Sequence, residues 1–157
     1  MNQQSRILQH LEDLGLALPR DWQPRGMFLP ARITGDMVFL SGQICEWDGR
    51  IVMEGPVGDS ASLDAARDAA RICTLNLLYR LEQACGNLDR VKEIVRVGGY
   101  VNCVPGFADS PKVIDGASEL LIQLFGESGQ HARTAIGVAG LPGNAAVEVD
   151  AIVRLKE

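Results

Sequence analysis

The side chains best suited to chemistry gather near the C-terminus, in His131-Ala132-Arg133-Thr134-Ala135 and Val147-Glu148-Val149-Asp150-Ala151. Arg133 opens a β-rich run, and Glu148 interrupts an apolar one. A guanidinium held in a partly buried place is a bidentate clamp for a carboxylate. The runs Arg133 to Val138 and Ala145 to Leu155 are joined by Gly140-Leu141-Pro142-Gly143-Asn144, so they are expected to lie on adjacent strands after a hairpin, which would let Arg133 approach Glu148. The same spacing also admits a structural Arg–Glu ion pair at the rim of a sheet. His131 beside Arg133 is either a second cation or acid–base group, because imidazole titrates near neutrality, or a packed histidine at the start of a strand.

Other chemistries find less support. Ser41 has no Gly-x-Ser-x-Gly elbow around it, and His10 and His131 are the only two histidines in the chain. The glycines from Gly137 to Gly143 form neither a phosphate loop nor a dinucleotide fingerprint, and read as turn residues. Cys45, Cys73, Cys85 and Cys103 show no Cys-x-x-Cys pairing and no histidine at zinc-ligand spacing, so no metal site is expected. Trp22 and Trp47 flank the first hairpin and read as packing or oligomer contacts.

The elements that must position these residues are legible from periodicity. Ser5 to Leu16 has near-helical apolar spacing and stops at Gly15 and Pro19; the stretch to Gly26, punctuated by Pro24, reads as an extended linker. Met27 to Ile33 and Met37 to Ile44 form a hairpin across Thr34-Gly35-Asp36, and Arg50 to Met53 is a third short strand. Ser60 to Cys85 is the strongest helix, with Leu63, Ala66, Ala70, Cys73, Leu77, Leu81 and Ala84 on one stripe, Ser62 as its cap and Gly86 at its end. Val91 to Val104 is a strand interrupted by Gly98-Gly99, which suits a bulge or the close approach of another backbone. Pro111 to Phe125 is a further helix with Pro111 in its first turn. The order predicts an α+β fold, a two-layer sandwich with a mixed sheet covered on one face by two helices. Val91, Ile94, Val97 and Val101 lie on a strand with equally apolar neighbours, so the other face should need cover too. A homo-oligomer would supply it.

Several blocks, in order from residue 26 to 155, resemble the RidA family, also called YjgF or endoribonuclease L-PSP. They are VFLSGQI at Val38 to Ile44, Asn76-Leu77 in the long helix, Val97 to Phe107, HARTAIGVAGLP and VEVDA. The N-terminal helix and linker, residues 1–25, resemble the longer, less characterised branch, with the family domain at 26–157. The resemblance implies a chorismate-mutase-like fold and a homotrimer with ligand clefts between subunits. It also implies hydrolysis of 2-aminoacrylate-type enamines and imines to 2-keto acids and ammonia, with no metal or organic cofactor. On this resemblance Arg133 grips the substrate carboxylate, Glu148 orients or activates water, and Ser41 and Gly42 line the cleft. Phe28 stands where active members carry Tyr, Ala135 where many carry Cys, Asp115 near a position usually held by Asn, and His131 where many carry Pro.

With 157 residues, 46% hydrophobic and 22% charged, the chain has the composition of one globular domain. A net charge of −5 and 5% aromatics argue against a nucleic-acid partner, whose phosphates would call for a basic face and whose bases would call for stacking platforms. No apolar run reaches the roughly 18 residues of a membrane span, no secretory leader is seen, and unpaired cysteines suit a cytoplasmic location. Three functions follow in order: an imine and enamine deaminase, a non-catalytic trimer that binds a small carboxylate metabolite, and a ribonuclease.

Overall fold

The computed structural model describes residues 5–20, 26–59 and 61–157; Trp22, Pro24 and Ser60 lie outside the described residues. Helix α1 (Arg6–Asp13) precedes a hairpin of β1 (Ala31–Thr34) and β2 (Met37–Ile44), then a ribbon of β3 (Glu46–Trp47) and β4 (Arg50–Ile51). Helix α2 (Leu63–Cys85), β5 (Val91–Asn102), α3 (Ser110–Phe125), β6 (Ala132–Val138) and β7 (Val147–Leu155) follow.

Local chemistry accounts for the helix ends. Ser62 Oγ accepts the Ala65 N–H at 3.2 Å and opens α2. Gly86 closes it in the left-handed conformation, φ 78°, which a side chain would resist. Burial on α2 extends beyond the expected stripe to Ala69, Leu75 and Leu78, because the helix packs on both the sheet and α3. At that helix pair a Cβ on Gly116 would run into the backbone carbonyl of Arg67. Helix α1 is anchored to the body through Asp89, whose carboxylate accepts from Ser5 Oγ and the N–H groups of Arg6 and Ile7.

The five-stranded sheet runs β1-β2-β7-β5-β6, with β5 and β6 parallel and the remaining pairs antiparallel. Helix α2 covers β2 and β7, and α3 covers β5 and β6. The fold is therefore the expected α+β sandwich. The expected hairpin of the last two strands is not formed. Helix α3 carries the chain back to start β6 parallel to β5 on the sheet edge, a crossover connection. The chain then passes through the turn Pro142–Asn144 and threads β7 between β2 and β5.

The second face is not the apolar one that the β5 valines suggest. Val91, Ile94, Val97 and Val101 are all buried on the helix side. Their spacing does not alternate regularly, but register shifts between Val91 and Glu93 and between Ile94 and Arg96 bring them onto one face. Gly99 is also covered from within: its Cβ would strike the buried side chain of Ile114. The open face instead mixes Glu148, Asp150, Arg96 and Tyr100 with Phe39 and Ile136, which are 45% and 47% exposed.

Candidate functional site

Two groups of the expected residues are assembled, and they are separate. The first surrounds Glu148. Strand β2 pairs with β7 from Met37 to Leu40 and again at Gln43 and Ile44, and the register slips across Ser41-Gly42. This bulge re-aims the end of β2, and the Glu148 carboxylate lies directly over Gly42, where a Cβ would collide with its Oε1. Ser41 Oγ donates to the Leu29 carbonyl at 2.6 Å and so ties the segment bearing Phe28 to the bulge. Phe28, Ile44, Ile51, Pro142, Gly42 and Glu148 line one cavity of about 430 Å³.

Within this mostly apolar wall Glu148 is half-buried, and burial, then the charge of Asp150, push its carboxyl above the ordinary glutamate value. A carboxylate held this way is a stronger base than one in water and still accessible from the cavity. Behind the wall, Asn76 on α2 donates from Nδ2 to the carbonyls of Ile44 and Glu46, at 3.0 and 2.8 Å. That pair of bonds fixes where β2 leaves the sheet and turns into the ribbon carrying Ile51.

The second group surrounds Arg133, on the helix side of edge strand β6. Its Nη1 donates to Asp115 Oδ1 at 2.7 Å and to Ser118 Oγ at 3.1 Å, both on α3. Ser118 lies 2.9 Å from His131 Nε2, and His131 Nδ1 lies 2.7 Å from the Gly129 carbonyl. The carbonyl can only accept, so Nδ1 carries a proton, and in the neutral ring Nε2 accepts the Ser118 hydroxyl. Burial, with the nearby Arg133 charge, lowers the His131 pKa. These two effects favour the neutral imidazole, as the end of a relay through Ser118 to Arg133, over a second cation beside it. Ala135 is half-buried on the same face as Arg133, opposite Gly99.

Arg133 and Glu148 do not meet. Arg133 is level with Val97 and Glu148 with Tyr100, with β5 between their strands. By strand geometry they are about 10 Å apart along the sheet and about 10 Å across it. They also face opposite sides, since Val147 and Val149 flank Glu148 in the core while Arg133 reaches α3. Neither a small ligand nor an ion pair can join them within one chain. Sequence reasoning missed Ser118, although it stands three residues after Asp115 and so shares its helix face. It also missed Ile51 and Pro142, which carry only packing signals.

A family model described as "YjgF/chorismate_mutase-like, putative endoribonuclease" matches residues 8–155 of this chain. The chain belongs to this YjgF family. Protein TCP17 of Trypanosoma cruzi is 40% identical over 151 residues, 96% of this chain and 94% of that protein. A 2-iminobutanoate/2-iminopropanoate deaminase of Dermatophagoides farinae is 30% identical over 139 residues, 88% of this chain and 93% of its own. Among solved structures, a Shewanella oneidensis protein described as a putative endoribonuclease superposes with TM-score 0.91 at 34% identity, covering 95% of this YjgF chain and 99% of that one. The family match begins inside α1, and none of the described helices of this YjgF protein is long and apolar enough to cross a membrane.

Proposed function

We propose that this protein hydrolyses reactive enamines and imines of the 2-aminoacrylate type to 2-keto acids and ammonia, in clefts between the subunits of a homotrimer. The observation that carries the reading is Glu148, a half-buried carboxylate of raised pKa seated on Gly42 at an apolar cavity. The deaminase relative from Dermatophagoides farinae supports it.

The chemistry needs little apparatus. Protonation of an enamine on carbon gives the protonated imine directly, and a neutral imine reaches the same species by taking a proton on nitrogen; in that form the C=N carbon is electrophilic. Glu148 takes a proton from water as the new C–O bond forms. The resulting carbinolamine gains a proton on nitrogen and loses one from oxygen, and the C–N bond breaks to give ammonia and the keto acid. Positioning and one general base supply such a reaction, without metal or cofactor. Arg133 holds the carboxylate. Because Arg133 and Glu148 lie on opposite faces of one sheet, a cleft using both takes Arg133 from one subunit and Glu148 from the next. The exposed Phe39 and Ile136 on the open face support such an assembly. Four free cysteines support a cytoplasmic setting.

The test is 2-keto acid release from imines freshly generated by an amino-acid oxidase, measured against spontaneous hydrolysis. Acceleration lost in both Arg133→Ala and Glu148→Ala supports the reading, and no acceleration with several side chains overturns it. A carboxylate-binding protein without turnover is the second reading, favoured by one contact: Arg133 already holds Asp115. It predicts Arg133-dependent ligand binding and no catalysis. Ribonuclease action has the least support, given the net charge of −5 and the occupied, neutral His131.

A further inference from the structure

We propose that Asp115 makes the Arg133 site select ligands by charge, favouring zwitterions that carry a cationic nitrogen near their carboxylate over simple carboxylate anions. The inference deepens the hydrolase reading and rests on it in one respect, that a ligand carboxylate goes to Arg133.

Asp115 Oδ1 stands 2.7 Å from Arg133 Nη1, the same nitrogen that holds Ser118. In the free protein the anion hook is therefore already engaged by an anion of its own chain. The neighbouring charges do not restore a positive field. Arg67, on α2 close enough to feel Asp115, is held by Glu119 at 2.6 Å. Lys112 is paired with Asp109 at 2.8 Å, and His131 is a neutral partner of Ser118. An approaching carboxylate must share Arg133 with Asp115 or displace it.

A protonated imine or amine beside that carboxylate changes the balance. Its positive nitrogen is attracted by Asp115, and in an assembled cleft by Glu148 as well. The protonated 2-imino acid is such a zwitterion. The 2-keto acid formed from it keeps the carboxylate and loses the cation, so the product is the less favoured ligand. Asp115 then acts as a specificity-determining residue that separates substrate from product without touching the reacting carbon.

The experiment compares two unreactive probes with one carbon skeleton, norvaline and 2-oxopentanoate, by titration calorimetry on the intact protein. The wild type is expected to bind norvaline more tightly. Asp115→Asn should tighten 2-oxopentanoate by about two- to fivefold, the scale of a partly exposed ion pair, while norvaline gains less or weakens. Asp115→Glu keeps the charge and should keep the wild-type preference; Arg133→Ala should lose both ligands. A change in Asp115→Asn that is equal for the two probes, or absent, overturns the proposal, as does binding of neither probe to the wild type. Imine turnover is scored separately. Turnover with an unmoved probe ratio sinks only the charge selection, and a moved ratio without turnover sinks only the hydrolase reading.

Discussion

Replacing Gly42 with alanine separates the chemistry of this fold from its stability. A Cβ there would overlap Glu148 Oε1 and sit 3.0 Å from its Cδ and 3.2 Å from its Cγ. Ordinary contact begins near 3.4 Å, so Cδ must retreat by about 0.4 Å and the carboxylate oxygen by more than twice that. The displaced atoms are the far end of a flexible side chain bordering a cavity, so the fold can yield at a cost under about 1 kcal/mol. Catalysis cannot yield so easily, because a base misplaced by about 1 Å can lose on the order of a hundredfold in rate. We expect kcat/KM for imine hydrolysis to fall by about ten- to a hundredfold in Gly42→Ala, with the thermal midpoint lowered by no more than about 4 °C. Keto acid release in the oxidase-coupled assay and a thermal melt on the same preparation measure both. Wild-type kcat/KM in a folded Gly42→Ala protein would refute the placement of Glu148 as the base, and a collapsed melt would refute the claim that the bulge yields locally.

Three further outcomes follow from the same geometry. Glu148 works ionised and its pKa is raised above 4.5, so the acid limb of kcat/KM should lie at higher pH than for an ordinary glutamate, which a wild-type pH–rate profile measures. The folded state also holds that proton more tightly than the unfolded chain, so the stability linked to Glu148 is fully present below pH 4.5 and lost as pH rises through the raised value. Urea melts at pH 7 should therefore show Glu148→Gln as stable as the wild type or more so. Ser118→Ala severs Arg133 from His131, and should raise KM for carboxylate imines by about three- to tenfold with kcat little changed; an equal loss in kcat would point to a different role for Ser118. Gly99→Ala, by contrast with Gly42→Ala, drives a methyl into fully buried Ile114, and should cost about 1–3 kcal/mol in denaturant melts; a smaller loss would mean that α3 sits less firmly on β5 than this packing implies.

The elements legible without the fold are those with short-range causes. Helix α2 was legible because its apolar spacing, the Ser62 cap and the Gly86 stop all act within a few residues of one another. The β1-β2 hairpin was equally local, set by Thr34-Gly35-Asp36. The blocks around Ser41, Arg133 and Glu148 carried the family, since such motifs survive as sequence. Strand neighbours, and the face that each residue took, came from long-range packing. Two bulges in β5 shifted Val91, Ile94, Val97 and Val101 onto one side, and alternation alone cannot announce a bulge. Strand β7 left its sequence neighbour β6 to pair with β2 and β5, and that put Arg133 and Glu148 on opposite faces. Asp115 and Ser118 came to Arg133 from α3 for the same reason: contacts between distant segments depend on how a whole sheet buries its apolar side, a quantity that no local run of residues contains.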